Sequence, residues 1–290
     1  MMRSLWSAAS GMKAQQTNVD TIANNLANVN TAGYKSEKVE FKSLLYQTLQ
    51  TKTTTANGEN KPIPAQVGLG TRVASITSNF TTGSFLASNN PMAFAIDGPG
   101  FFAVRGMDGE NYYTKNGDLK LVLASDNTLT LANNDGYMVL DDNEEAITLP
   151  RTIEIPGTDE EGNEIVEEVE VTMSRIVVDQ QGKFYFRGKD GELNDLDITI
   201  GLYQFNNPAG LDKLAGGLFG VTDASGPVLN EAVNQDVRRS SLKQGYLEGS
   251  NVQVADEMVN LIVAQRAYEM NSKAIQATDT MMEQANNLRR

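Results

Sequence analysis

LWSAASGMKAQQTNVDTIANNLANV, residues 5–29, and VADEMVNLIVAQRAYEMNSKAIQATDTMM, residues 254–282, stand at opposite ends of a 290-residue chain and share one periodicity. In the first, Leu5, Met12, Val19 and Leu26 are seven apart, and Ala8, Gln15, Ile22 and Val29 hold the positions three further on. In the second, Val254, Leu261, Tyr268, Ile275 and Met282 repeat at the same interval. A seven-residue repeat makes a narrow stripe on an α-helix, fitted to one partner helix rather than to a broad core. The spacing predicts two long terminal helices. One runs from about Ser4 to Asn30, the other from Gln253 or Val254 to the chain end. At 1.5 Å per residue they measure roughly 40 Å and 54 Å. Gly33 is the stop signal of the first, with Tyr34 folding back on its last turn. Ser250 or Asn251 is expected to cap the second, whose first turn carries Asp256 and Glu257.

Between the helices the character changes twice. A short helical pattern is expected around Phe41, Leu44, Leu45 and Thr48. Residues 51–70 are rich in Thr, Gly and Pro and read as an exposed, extended loop. From about 91 to 245 the pattern is β. Ala93–Ile96 and Phe101–Val104 are apolar runs split by Asp97-Gly98-Pro99-Gly100. Asp108-Gly109, Asn116-Gly117, Asp135-Gly136, Gln181-Gly182 and Asp190-Gly191 mark further turns. Arg175–Val178 and Lys183–Phe186 read as a hairpin, and Ile198–Phe205 as one strand. Residues 154–170 alternate acids with Ile165, Val166, Val169 and Val171, a pattern that permits a solvated hairpin. The expected fold is α+β: terminal helices pairing as an antiparallel coiled coil, because the chain leaves and returns through one β region, and a central, mainly antiparallel β domain. The expected divisions are 1–34 with 246–290, a linker over 35–90, and the β domain over 91–245.

Composition removes several function classes. There is no cysteine and no histidine, so disulfides, thiol chemistry and the commonest general base and metal ligand are absent. The net charge of −13 argues against nucleic acid as a partner. No stretch approaches the ~18 apolar residues of a membrane helix, so membrane insertion is not expected. The start of the chain lacks the apolar core of a secretory signal, which leaves the cytoplasm or export without a cleaved signal. No nucleophile elbow or phosphate loop occurs. Paired carboxylates can in principle hydrolyse glycosides, but a solvated acidic surface accounts for them more simply. Asp141, Asp142, Glu144 and Glu145 lack the spacing of a calcium loop. No cofactor is implied.

The stripes can serve assembly between copies or pack on the chain's own β domain, and their narrowness and terminal positions favour assembly. Packing is then expected between Leu5, Met12, Val19, Ile22, Leu26 and Val29 on one helix and Val254, Leu261, Tyr268, Ile275 and Met282 on the other. Asn24, Asn25 and Asn28 crowd the end of the first helix, although asparagine is a mediocre helix former. Two readings of these amides stand open: a frayed helix end, or hydrogen bonds to neighbouring subunits.

Asn24–Lys35, reading NNLANVNTAGYK, resembles the N-terminal signature of the bacterial flagellar rod and hook proteins. Ser4–Met12 is similar to the distal-rod branch of that family. Gln244–Val252 and Ala264–Lys273 resemble its C-terminal helix region, and Ala95–Phe102 with Tyr113–Gly117 its β domain. The resemblance covers about residues 1–140 and 195–290. It implies a non-enzymatic subunit of the basal body, exported by the flagellar apparatus, that stacks helically with itself into a hollow shaft carrying torque to the hook. It implies proximal rod and hook proteins or hook–filament adaptors as neighbours, with bushing rings as a further partner. It also places the 51–70 loop where distal-rod proteins carry a segment that stiffens the shaft. The alternatives are a proximal-rod or short hook-like subunit or, from another class, a secreted carbohydrate- or calcium-binding β protein. The acidic stretch 154–170 has no counterpart in the resemblance.

Overall fold

A computed structural model describes residues 2–50, 65–124, 128–158, 164–188, 191–234 and 237–288. The chain is mixed, with one long helix at each end, α1 (Met2–Ala27) and α2 (Val254–Asn287), and strands between them. Every strand pairing among the described residues is antiparallel. Two compact units form. The first comprises Met1–Asn28, Ser36–Asn79 and Val252–Arg290; the second comprises Val29–Lys35 and Phe80–Asn251.

The first unit takes in most of the segment expected to be a linker. Residues 37–50 contain no helix: Glu37–Ser43 pairs with Thr71–Ser78, and Tyr46–Gln50 with Ala65–Gly68. The helical expectation around Phe41, Leu44, Leu45 and Thr48 is therefore corrected. Lys38-Val39-Glu40-Phe41-Lys42 alternates polar with β-branched or aromatic residues, and this period of two prevails over a sparse 3.6-residue match. Of the loop expected over 51–70, residues 51–64 lie outside the described residues.

The β unit is built on a ten-stranded sheet. Its central strand, Phe101–Arg105, shows why the run Phe101–Val104 is wholly apolar. Successive side chains point to opposite faces, and both faces are covered. Phe102 and Val104 enter a cluster with Phe94, Ile96, Leu131 and Phe184. Phe101 and Ala103 enter a second cluster with Tyr113, Tyr203, Phe205 and Phe219. Phe94–Asp97 does not pair with this strand across the intervening turn, but with Ser241–Gln244. The hairpin of Ile176–Val178 with Lys183–Arg187 forms as expected. The single strand expected over 198–205 is two, Leu193–Thr199 and Leu202–Phe205, in different sheets. They part at Gly201, where a Cβ would lie 2.2 Å from the Asp141 carbonyl oxygen. Of the turn glycines, 109, 136, 182 and 191 have positive φ, whereas Gly117 does not. Gly117 is needed for close approach, since a Cβ there would stand 1.8 Å from the Phe94 carbonyl oxygen.

Within the acidic stretch Thr152–Thr158 pairs with Glu164–Glu170, and among the described residues no other strand pairs with either. Their register sets Glu154 opposite Glu168.

Lys115 is 2% exposed, donates to the Gly98 carbonyl oxygen at 2.9 Å and stands 4.9 Å above the Phe101 ring. Burial pushes its ammonium down to about 8; the Glu248 carboxylate offsets part of that fall, the Lys35 ammonium adds to it, and Glu231 offsets a little more. In the unfolded chain Lys115 keeps its ordinary higher value. Above about pH 8 the unfolded chain therefore binds more protons, and stability rises with pH. Relative to Lys115→Met, the wild type is expected to gain about 1 kcal/mol per pH unit between pH 8 and 9.5. Urea unfolding of both proteins across that range checks it.

Candidate assembly interface

The terminal helices carry the residues singled out by periodicity, and they pack side by side within the first unit. Ser4 Oγ lies 3.4 Å from Thr278 Oγ1, and Asn25 Nδ2 donates to Glu257 Oε1 at 3.1 Å. A Cβ added to Gly11 would meet Asn271 Nδ2 at 2.8 Å. A forward step of seven on α1, from Ser4 to Gly11, answers a backward step of seven on α2, from Thr278 to Asn271. The helices therefore run antiparallel, and the register has not drifted at Asn25. It sets Asn18 against Ala264, which is 1% exposed. The seam thus follows Ser4, Gly11, Asn18 and Asn25 on one helix and Glu257, Ala264, Asn271 and Thr278 on the other. These are small or polar residues, which let two backbones approach closely.

The apolar stripes flank this seam. On α1, Ile22 is buried, whereas Leu5, Met12, Val19 and Leu26 are half-buried. On α2, Leu261, Ile275 and Met282 are half-buried, and Val254 and Tyr268 are exposed. Val29 falls beyond the end of α1, in the segment that belongs to the β unit. A second flank of α1 is covered by the ribbon, where the Thr71 N–H donates to Ser10 Oγ at 3.2 Å. Ala14, Thr21 and Asn25, all buried, fill that broader arc.

Asn25 makes its hydrogen bonds within the chain. It is 1% exposed; its Nδ2 donates to the Glu37 carbonyl oxygen at 2.8 Å and to Glu257, and its Oδ1 accepts the Glu37 N–H at 2.8 Å. It therefore ties α1, the ribbon and α2 together. Partial burial raises the Glu257 carboxyl, and the bond from Asn25 offsets part of that rise. Asn28 folds back on Asn24, donating to its carbonyl oxygen at 2.9 Å and its Oδ1 at 3.1 Å. Helix α1 ends at Ala27 rather than Asn30, and α2 is preceded by Gln253 without a side-chain cap.

Sequence periodicity missed a band of α2 turned away from the seam. Val259, Ile262, Val263 and Met270 are 60, 50, 61 and 66% exposed. Their signal was present as the run Met258-Val259 and Leu261-Ile262-Val263, which a single heptad stripe does not explain. The acids considered for calcium form a tight turn instead. Asp141 Oδ1 accepts the N–H groups of Asn143 and Glu145 at 2.9 and 2.7 Å, and Glu144 adopts φ 63°. Among the described residues no cluster of three or more acidic side chains is placed to hold a metal ion.

Asn25→Ala is expected to destabilise the isolated chain by about 2–4 kcal/mol, because it leaves buried polar groups of the ribbon and α2 unpaired. Asn24→Ala, at an exposed site, should change it by under about 0.5 kcal/mol. Chemical denaturation followed by the helical circular dichroism signal separates the two.

Family models described as Flagella basal body rod protein, Flagellar hook protein FlgE/F/G D1 domain, and Flagellar basal body rod FlgEFG protein C-terminal match residues 5–35, 95–186 and 243–288. The flagellar basal-body rod protein FlgG of Borreliella burgdorferi is 41% identical over the full length of both chains. That of Agrobacterium fabrum is 39% identical over 97% of each, and that of Bacillus subtilis 37% identical over the full length of both. With the helical termini matched at both ends and the β unit between them, the chain belongs to the flagellar basal-body rod proteins, as a structural subunit of the FlgG, distal-rod type.

Proposed function

We propose that α1 and α2 form an antiparallel coiled coil whose outward apolar band joins copies of this chain into a helical, hollow shaft that carries motor torque to the hook. The role is mechanical rather than catalytic. The observation that carries it is the exposed band of α2, Val259, Ile262, Val263 and Met270, on a helix whose seam is closed by small and polar residues. Contiguous apolar surface of this kind marks an interaction site. The commensurate seven-residue register between the helices is that of a left-handed supercoil. Leu5, Met12, Val19 and Leu26, half-buried at the seam's edge, add to the surface offered to a neighbour. Proximal rod, hook or hook–filament adaptor proteins are the neighbours at the two ends of the shaft. Export by the flagellar apparatus delivers the subunit, and bushing rings surround it.

Ile262→Asp with Val263→Asp should leave the monomer's helical signal and melting unchanged, because both positions are exposed. The same variant should abolish rod assembly, since charges would be desolvated between copies. Circular dichroism together with electron microscopy of basal bodies from cells relying on the variant tests this. Normal rods would overturn the reading.

A further inference from the structure

The chain passes between its two units four times, at 28/29, 35/36, 79/80 and 251/252. Within the β unit, the segments that lead to these crossings are tied to one another. Lys35 Nζ donates to Glu248 Oε1 at 2.6 Å and to the Thr81 carbonyl oxygen at 2.9 Å. The Gly83 N–H donates to the same Glu248 oxygen at 3.0 Å, and the Gly33 N–H to the Glu248 carbonyl oxygen at 2.7 Å. Asn251 Nδ2 donates to Thr81 Oγ1 at 3.0 Å and to its carbonyl oxygen at 3.1 Å. The Gly249 N–H donates to the Ser84 carbonyl oxygen at 2.7 Å. The Lys35 and Glu248 side chains are each 1% exposed. The backbone is shaped to let the segments close. Gly33 has φ 72° and a Cβ there would strike the Asn116 backbone at 2.7 Å, while one on Gly83 would stand 2.1 Å from the Gly249 carbonyl oxygen.

We propose that Lys35 and Glu248 are positioning residues of the torque path: their buried ion pair knots the segments leading to all four crossings into one attachment, so that load enters the β unit through a shared anchor. This rests on the shaft reading above. Three separate peptide segments would each yield by backbone rotation; segments bonded to a common buried ion pair share the load. Both motifs carrying the family resemblance nearest the crossings, Ala32-Gly33-Tyr34-Lys35 and Leu247-Glu248-Gly249, supply this knot and make no stripe.

The bland account of the same bonds is that they only stabilise the β unit. Two variants separate the accounts. Lys35→Met alone leaves Glu248 buried without its cation, and amide exchange at Gly33 and Gly83 should rise at least tenfold while Phe102 and Val104 remain protected. Lys35→Met with Glu248→Leu replaces the pair by apolar bulk, which generally restores folding. Its unfolding midpoint should return near that of the wild type. Cells relying on this double variant should assemble rods yet lose at least half their swimming speed in viscous medium, relative to the wild type. Wild-type speed under load from the double variant would overturn the positioning role, as would unchanged exchange at Gly33 and Gly83 in Lys35→Met. The shaft reading is decided separately, by whether the wild-type chain itself restores rods to cells lacking their own subunit.

Discussion

Everything in the first unit depends on how closely α1 and α2 approach. The seam is Ser4 on Thr278, Gly11 on Asn271, Asn25 on Glu257. Gly11 and Ala264 add almost no side-chain bulk, so the pair closes through contact of backbones and short polar groups. The consequence is an inversion of the ordinary amphipathic helix, which turns its large apolar residues inward. Here Val259, Ile262, Val263 and Met270 remain outside. Burying a side chain of this size yields about 1.5–3 kcal/mol. Four per copy, with the half-buried Leu5 stripe, approach a gross 10 kcal/mol before association costs are met. A helix pair built this way leaves a substantial part of its apolar surface outside its own seam.

This inversion also explains what the sequence could and could not reveal. The seven-residue period of Leu5, Met12, Val19 and Leu26 announces the helices, and the return of the chain through one β region announces their pairing direction. Neither says which neighbouring line closes the seam within one chain, because glycine, alanine and serine at Gly11, Ala264 and Ser4 leave no hydrophobic signature. The period marks a partner; it does not distinguish a partner in the same chain from one in the next. Asn25 was ambiguous for a related reason. An asparagine near a helix end reads as fraying or as a surface contact, and only the return of Glu37 and Glu257 to the same place turns it into a buried junction. The ribbon after α1 was misread because Phe41, Leu44, Leu45 and Thr48 fit a helical face by chance, while the alternation about Val39 carried the true period. In the β unit, turns are legible at Gly98, Gly109, Gly136, Gly182 and Gly191, where an Asp or Gln precedes a glycine of positive φ, but not at Gly216 and Gly226, which share that φ without the pair. Partnerships between strands distant in sequence, such as Phe94–Asp97 with Ser241–Gln244, leave no local trace.

The β unit carries its charge in two opposite ways. Eight of the chain's 37 acids and none of its 24 basic residues lie between 154 and 170. The strands Thr152–Thr158 and Glu164–Glu170 pair with each other and, among the described residues, with no other strand, and isolated two-stranded ribbons are marginal in water. Two buried carboxylates lie elsewhere and are matched. Lys35 faces Glu248, and Glu231 accepts from the Ser240 N–H and Oγ and from Gln204.

A buried ion pair at Lys35 and Glu248 is a poor choice if stability alone is at issue, since apolar residues of similar volume usually stabilise as well or better. Its distinguishing property is direction. An apolar plug tolerates sliding among near-equivalent packings, whereas the Glu248 carboxylate accepts from both Lys35 and Gly83 in one geometry only. The remaining carboxylate oxygen is buried with no hydrogen-bond partner among the described residues, so displacement of Lys35 leaves a buried charge without its hydrogen-bonded cation. Slippage of any one segment is opposed by that whole penalty rather than by the loss of a single hydrogen bond. For a subunit whose chain crosses four times between an assembling helical pair and a β unit, fixing those segments in one register is worth more than the stability an apolar core would add.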